Sequence, residues 1–247
     1  MGLKNLGWIL LPIVICAQTP PEQWGENVTG VVTQFHSTKK EVALTFDACG
    51  GSARSSQFDA ELIRFLETNR IPATLFINSR WIESNLETFK ILAANPLFEI
   101  ANHGTAHKPL SVNGKSAYGI AGTASSEEVA HEINGNADKI EKITGNRPRF
   151  FRSGTAFYDE QAVQIAHQNG VEIGGFSILG DAGATLSAPE VARRIGNAKG
   201  GDIIIAHMNH PEGGTAQGVM QGVEHLKEHG FGFVRLSEVK EHLNRIP

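Results

Sequence analysis

The sequence predicts a single α/β domain, a distorted (β/α)7-type barrel, and three observations support this fold class. Short apolar or β-branched runs alternate with helical patterns along most of the chain, and about seven such units in alternation are typical of a parallel barrel. The 247 residues, of which 40% are hydrophobic, are enough for one sizeable core. Polar residues capable of chemistry recur at the ends of the predicted strands, which meet on one face of such a barrel.

The first residues are typical of an export signal. Lys4 precedes an apolar run that ends at Cys16, and the small residue Ala17 marks a candidate cleavage site. The run is too short to span a bilayer. We therefore predict a signal peptide at residues 1–17, no stable membrane span, and export to the periplasm, cell wall or extracellular space. Residues 18–38 are polar and turn-rich and are predicted to form an extension before the folded domain at residues 39–247.

The predicted elements of the domain follow from the spacing of apolar residues. The strand candidates are residues 42–46, 73–77, 98–101, 149–151, 172–177, 203–206 and 231–236. A helical stripe is formed by Phe58, Leu62, Phe65 and Leu66. Another helix is predicted to begin at an S-x-x-E capping box, Ser125 to Glu128, and to end near Gly145. Two long Gly-rich connections, at 108–124 and 208–218, are expected to line a binding groove.

Charge argues against a nucleic-acid-binding protein, and cysteine content argues against a fold stabilised by disulfides. The formal charge is −4 and no long basic run occurs, which argues against a nucleic-acid partner. If Cys16 is removed with the signal, only Cys49 remains, so no internal disulfide can form and stability must come from the core.

A pair of histidines after the third predicted strand indicates a metal site. His103 and His107 are four residues apart and are expected to face the same way on a helical turn, where two imidazole nitrogens can bind one ion. His225 and His229 have the same spacing, but they lie at the predicted end of a helix, where the helix dipole and solvent explain them.

Asp47 ends the first strand of the domain and is followed by a turn containing Gly50 and Gly51. Its carboxylate either caps the following segment or joins the two histidines. Two imidazoles and one carboxylate are a known set of protein ligands for catalytic zinc, and this set leaves one coordination position for water.

Three further polar residues follow later strands. Arg152 is expected to face the barrel mouth, where a carboxylate such as Asp47 can hold it, and a surface salt bridge is the alternative. Asp181 is either a site residue or an ordinary turn aspartate. His207 ends an isoleucine-rich strand and is either a site residue or a hydrogen-bonded core histidine, whereas nearby His210 is expected to be a loop residue.

Taken together, these stretches resemble the NodB-type polysaccharide deacetylases, carbohydrate esterase family four, over Glu41 to Leu236. The matching motifs, in chain order, are Thr45-Phe46-Asp47 for T-F-D-D-G, His103 to His107 for H-[ST]-x-x-H, Phe151-Arg152 for the arginine motif, Ile203 to His207 for L-x-x-H, and Gly230 to Leu236 for the terminal strand. Each motif alone is unspecific. Their order, each at a strand end, is what makes the resemblance strong.

The resemblance implies a NodB homology domain at residues 39–247 that acts as a metal-dependent hydrolase on carbon–nitrogen bonds other than peptide bonds. It would remove acetyl groups from an N-acetylated glycan, either peptidoglycan or chitin-like oligomers. His103, His107 and Asp47 would hold a divalent metal, expected to be Zn²⁺. Asp47 would also be the general base oriented by Arg152, and His207 the acid, kept charged by Asp181.

The sequence departs from the family at three places. The second aspartate of T-F-D-D-G is replaced by Ala48, so Asp47, Cys49 or water is left to complete the metal site. The arginine motif continues as Ser153-Gly154-Thr155, and the match around Asp181 is loose. Two alternative functions therefore stay open: a non-catalytic carbohydrate-binding barrel, and an O-acetyl esterase or amidase that acts on another carbonyl substrate.

Overall fold

The computed structural model describes residues 19–247, and the predicted signal peptide at residues 1–17 lies outside them. The strands are β1 Val32–Phe35, β2 Glu41–Ala48, β3 Ala73–Ile77, β4 Phe98–Asn102, β5 Phe150–Phe151, β6 Glu172–Ile173, β7 Ile178–Leu179, β8 Ile203–His207, β9 Gly232–Val234 and β10 Leu243–Arg245. The helices are α1 Ala60–Thr68, α2 Ser79–Ser84, α3 Leu86–Ala94, α4 Ser126–Thr144, α5 Glu160–Gln168, α6 Ala188–Gly196, α7 Thr215–Glu228 and a final 3₁₀ segment, Leu236–His242. Within residues 19–247, none of these helices combines the length and apolarity needed to cross a membrane.

The central sheet is parallel and curls into an incomplete barrel, which confirms the predicted fold class. Its strands lie in the order β6-β5-β4-β3-β2-β8-β7, and β9 pairs with the beginning of β2. The two ends of this order, β6 and β7, are consecutive in the chain and do not pair with each other. Helices follow most strands and cover the outside of the sheet, as parallel strands require.

Strand β2 shows how the two faces of the sheet are used. Val42, Leu44, Phe46 and Ala48 belong to the hydrophobic cluster that packs the sheet against α1 and α7. The alternate residues, Ala43, Thr45 and Asp47, face the interior of the barrel, because successive side chains of a strand point to opposite faces. Ala43 packs in the interior apolar cluster, so the polar pair lies nearer the carboxyl end of the strand.

The capping signals in the sequence correctly place the ends of α4. Ser125 is the N-cap and its Oγ accepts the Glu128 backbone N–H at 3.2 Å. Gly145 is the C-cap, with a left-handed φ of 77° that glycine adopts without strain. The predicted stripe of the first helix is found in α1, except that Phe58 precedes the helix and Asp59 is its N-cap.

The strand predicted at residues 172–177 is interrupted, which corrects the sequence-based assignment. Of this range only Glu172 and Ile173 form a strand, β6; Gly174 and Gly175 follow it, and β7 begins beyond the range at Ile178. The carbonyl oxygens of both glycines accept hydrogen bonds from the Arg152 guanidinium, at 2.7 and 3.0 Å. These carbonyls are therefore bound to a side chain instead of a neighbouring strand.

The prediction of an extension at residues 18–38 also differs from the structure. Val28, Val31, Val32 and Phe35 are almost completely buried in the core. Strand β1 pairs antiparallel with β10 from the other end of the chain. The many polar residues of the segment, with Pro20 and Pro21 side by side, concealed this contribution.

Candidate functional site

The polar residues predicted from the sequence meet at the carboxyl ends of neighbouring strands. Asp47 and His207 are register partners on the adjacent parallel strands β2 and β8, so their side chains leave the sheet on the same face. His103 directly follows β4, and Arg152 directly follows β5. The order of the strands thus brings together residues that are far apart in the chain.

Arg152 is fully buried and binds Asp47. Its Nη1 donates to Asp47 Oδ1 at 2.7 Å, and both side chains are almost inaccessible to solvent. Nη2 donates to Thr45 Oγ1 at 3.0 Å, and the guanidinium lies 4.0 Å from the centre of the Phe76 ring. The surface salt bridge considered for Arg152 is therefore wrong, and Asp47 has one oxygen, Oδ2, that Arg152 leaves free.

His103 and His107 converge through a loop and not through the predicted helical turn. Residues 103–107 carry no helix, and both Gly104 and His107 have left-handed φ values of 82° and 61°. The two rings nevertheless lie 4.8 Å apart, edge to face. Buried Glu132 of α4 holds this loop, since its carboxylate accepts the backbone N–H groups of Ala106 and Lys108.

The hydrogen bonds of His103 determine which of its nitrogens faces the site. Nδ1 lies 3.0 Å from the Arg152 backbone carbonyl oxygen, which can only accept, so Nδ1 carries a proton. Nε2 is directed to Asp47 Oδ2 at 3.6 Å and to Cys49 Sγ at 3.8 Å. Burial lowers the pKa of His103, but the Asp47 carboxylate, Cys49 and the Arg152 carbonyl oxygen together outweigh burial and raise this pKa overall.

The Cys49 thiol lies among the histidines. Burial alone would raise the pKa of Cys49, but the electrostatic effect of His107 and the proximity of the His103, His107 and His207 rings lower this pKa well below its ordinary value. Cys49, His103 and His107 each offer a ligand atom, and these atoms all lie within 4.8 Å of one another. Asp47 is not a member of this set among the described residues.

His207 and Asp181 form the opposite side of the site. Asp181 Oδ1 lies 2.9 Å from His207 Nδ1, Oδ2 accepts the His207 backbone N–H at 2.7 Å, and Thr215 Oγ1 donates to Oδ2 at 3.0 Å. Burial lowers the pKa of His207, but the Asp181 carboxylate, together with Cys49, outweighs burial and raises this pKa well above its ordinary value. Asp181 is thus a buried partner of His207 and not an ordinary turn residue.

A cavity of about 440 Å³ opens beside Asp47 and His207. It is lined by residues at the ends of several strands and in the loops that follow them, among them Thr155, Phe176, Leu179 and Tyr118. This volume lies within the range of roughly 300–1,000 Å³ typical of small-molecule sites. Tyr118 belongs to the long connection at 108–124, which contributes to the cavity as predicted, whereas the connection at 208–218 supplies none of the lining residues.

Aromatic side chains extend from this cavity across the surface. Tyr118 is 74% exposed and packs edge to face on Phe157, with ring centres 5.4 Å apart. Trp24 packs on the same ring at 5.7 Å. The Tyr118 hydroxyl donates to Glu26, another residue that lines the cavity, at 3.4 Å.

Sequence reasoning missed several residues that position the site. Thr45 accepts a hydrogen bond from Arg152, and Thr215 donates one to Asp181. Glu132 accepts a backbone N–H of the loop that carries His107. Thr45 could have been found, because it lies two residues before Asp47 in the same strand and therefore on the same face. No local pattern points to Thr215 or Glu132. His225 and His229 lie at the end of α7, as predicted, and His229 Nδ1 contacts the His225 carbonyl oxygen at 2.8 Å.

The chain is similar in sequence and in fold to known polysaccharide deacetylases. The family model "Polysaccharide deacetylase" matches residues 36–174. A bifunctional xylanase/deacetylase from Pseudobutyrivibrio xylanivorans is 26% identical over 237 residues, which are 93% of this chain and 34% of that protein. The chain therefore spans about a third of the length of that relative.

Three solved structures share the fold. A family 4 carbohydrate esterase pseudoenzyme from Bacillus anthracis has a TM-score of 0.69 at 21% identity, over 84% of this chain and 67% of that chain. A peptidoglycan N-acetylglucosamine deacetylase has a TM-score of 0.69 at 21% identity, over 85% and 92%. A family 4 acetyl xylan esterase from Clostridium thermocellum, in complex with a cobalt ion, has a TM-score of 0.66 at 22% identity, over 82% and 91%. With its family model covering more than half of the sequence, this chain belongs to the polysaccharide deacetylase family.

Proposed function

We propose that this protein is a metal-dependent N-deacetylase that hydrolyses the acetamide groups of an N-acetylated glycan, such as peptidoglycan or chitin-like oligomers, outside the cytoplasm. The observation that carries the proposal is the meeting of three groups at one end of the barrel: the Asp47–Arg152 pair, the His103–His107 pair and the His207–Asp181 pair. A carboxylate base, two nitrogen ligands for a metal ion and a charged imidazole can together catalyse metal-dependent amide hydrolysis.

The two histidines fit a divalent ion. His103 donates its Nδ1 proton to a carbonyl oxygen, which leaves Nε2 for a ligand, as is usual for histidines that bind metal. His107 Nε2 is buried without a hydrogen-bond partner, and a bound ion would satisfy it. When bound, a divalent ion would polarise the acetyl carbonyl and make a water molecule more acidic at neutral pH.

The other residues move the protons. Asp47, held by Arg152 through Oδ1, would take a proton from the attacking water through its free Oδ2. The water oxygen then bonds to the acetyl carbon. His207 would donate its proton to the sugar nitrogen as the carbon–nitrogen bond breaks, which leaves acetate and a free amine. Proton exchange with solvent restores Asp47 and His207.

The raised pKa of His207 supports the role of acid. Because Asp181 holds Nδ1, Nε2 is the ring nitrogen left to face the cavity, and the imidazole is charged at neutral pH. The predicted signal peptide supports export, where such glycans occur. The relative named as a deacetylase and the deacetylase structure support the same reaction class.

The direct test measures acetate released from N-acetylglucosamine oligomers and from peptidoglycan. We expect release by the metal-loaded protein, loss of release on chelation, and recovery with Zn²⁺. A double variant, His103→Ala and His107→Ala, should release no acetate. The matched control is His225→Ala with His229→Ala, which removes two histidines of the same spacing at the end of α7 and should keep activity. Full activity in the first double variant would refute the proposal.

Two other functions are separated in the same experiment. The xylan esterase and the xylanase/deacetylase favour an O-acetyl esterase as the second candidate. Acetate release from acetylated xylan, with none from the N-acetylated glycans, would favour it. Glycan binding with no release from any substrate, even with added metal, would favour a non-catalytic barrel like the similar pseudoenzyme.

A further inference from the structure

We infer that Cys49 is the third protein ligand of the metal site, so that the ion is held by one sulfur and two imidazole nitrogens while Asp47 is left outside as the base. The inference rests on the proposed function only in placing the ion at His103 and His107. In the family motif the second aspartate is a metal ligand; Ala48 stands at that position here, and we assign the ligand to Cys49 instead.

The distances fit a sulfur ligand. A tetrahedral zinc ion lies about 2.3 Å from sulfur and about 2.0–2.1 Å from nitrogen, which puts the two ligand atoms roughly 3.6 Å apart. Cys49 Sγ and His103 Nε2 are 3.8 Å apart without an ion between them. The His107 ligand atom lies within 4.8 Å of both. Contraction of the three side chains around an ion would therefore give a site with three protein ligands.

The end of β2 explains why Cys49, and not Ala48, takes this position. Ala48 is the last residue of the strand, is fully buried and packs in the cluster against the helices, on the face opposite Asp47. Cys49 is the first residue beyond the strand. Gly50 follows with a left-handed φ of 71°, and a Cβ at this position would collide with the backbone of Trp81. The turn thus allows the thiol to point toward the histidines.

Asp47 has a different partner. Its Oδ1 is committed to the buried guanidinium of Arg152 at 2.7 Å, and only its Oδ2, at 3.6 Å from His103 Nε2, faces the site. A carboxylate held in this way is oriented for proton transfer and keeps its charge partner whether or not an ion is present. With Cys49 as the ligand and Asp47 as the base, one carboxylate no longer has to serve in both roles.

A thiolate ligand changes which ion the site prefers. Soft sulfur ligands favour Zn²⁺ and related transition metals, whereas carboxylate and water ligands suit Mg²⁺ and Mn²⁺. We therefore expect Zn²⁺ and Co²⁺ to bind this protein far more tightly than Mg²⁺, and the preference to weaken when the sulfur is removed.

Spectroscopy of the Co²⁺-loaded full chain tests the ligand directly, without using activity. The wild-type protein should show a near-ultraviolet charge-transfer band from thiolate to cobalt. Cys49→Ser should lack the band, and its Zn²⁺ affinity should fall by about 100-fold or more, beyond the 10–100-fold effect of losing an outer partner. Cys16→Ser, the other cysteine of the sequence, should keep the band. Asp47→Asn should also keep it, because its carboxylate is outside the set.

Absence of the band in wild-type protein, its survival in Cys49→Ser, or its loss in Asp47→Asn would overturn the inference. If Cys49→Ser fails to fold, alkylation of Cys49 in the wild-type protein replaces it: Zn²⁺ should protect the thiol from iodoacetamide, and equal alkylation with and without Zn²⁺ would overturn the inference. A charge-transfer band without acetate release from any glycan would instead refute the proposed function and leave the ligand assignment intact.

Discussion

The Asp181 carboxylate binds His207 through both oxygens, Oδ1 at 2.9 Å from the ring Nδ1 and Oδ2 at 2.7 Å from the backbone nitrogen. The raised pKa of His207 follows from this pair, since the negative charge favours the imidazolium. The acid form is present below that pKa and is lost as pH rises through it. In Asp181→Asn the pKa of His207 should fall, so the alkaline limb of kcat/KM against pH should move to lower pH.

At a pH between the two wild-type limbs, kcat/KM of Asp181→Asn should fall about tenfold for each unit by which the shifted limb lies below that pH, because the charged fraction of His207 falls in that proportion. Asp202→Asn is the matched control. Asp202 is also buried, but its Oδ1 accepts from Gln34 and Ser177 and not from an imidazole. This variant should leave the alkaline limb where it is, and an unmoved limb in Asp181→Asn would contradict the role of the pair.

Removal of Arg152 should reduce stability as well as activity. Arg152→Met leaves the buried Asp47 charge without its partner, which costs about 3–5 kcal/mol in comparable buried pairs. The free energy of unfolding from urea titration measures this loss. The double variant Asp47→Leu with Arg152→Met should regain much of the stability and none of the activity. Arg193→Met, which breaks an exposed pair with Glu190, should barely change the unfolding midpoint.

Glu132 should control metal affinity without touching the ion. It accepts the backbone N–H groups of Ala106 and Lys108, which flank His107. Glu132→Ala should weaken Zn²⁺ binding by about 10–100-fold, as loss of an outer partner does. Glu132→Gln keeps one carbonyl oxygen and should recover most of the affinity. Glu128→Ala, one turn earlier in α4, should bind Zn²⁺ like the wild type, and normal binding by Glu132→Ala would disprove the role.

Tyr118 should contribute to glycan binding. Its ring is exposed, lines the cavity and rests on Phe157, so it offers a flat apolar face to a sugar ring. Tyr118→Ala should raise KM for glycan oligomers about three- to tenfold, equivalent to a contact of about 0.5–1.5 kcal/mol, with kcat and melting temperature nearly unchanged. Ile120→Ala, in the same turn, should leave KM unchanged. A Tyr118→Ala variant with wild-type KM would exclude this surface from binding.

The fold and most of the candidate site could be predicted because their signals are local. Apolar periodicity sets α1 and the caps of α4, and β-branched runs set β2, β3 and β8. The places where prediction failed are those governed by long-range contacts. The interrupted strand at residues 172–177 is broken by Arg152, whose hydrogen bonds to Gly174 and Gly175 span 22 and 23 residues.

Local spacing in the sequence was enough to predict β2, β3, β4 and β8 and to place Asp47, His103, His107, Arg152 and His207 at strand ends. How these residues meet is set by the tertiary structure. Asp47 pairs with Arg152 across 105 residues, and His107 reaches the site through a left-handed backbone held by Glu132. The physical reason is that side-chain pairing at a barrel mouth depends on strand order and loop conformation, which the local spacing of residues does not specify.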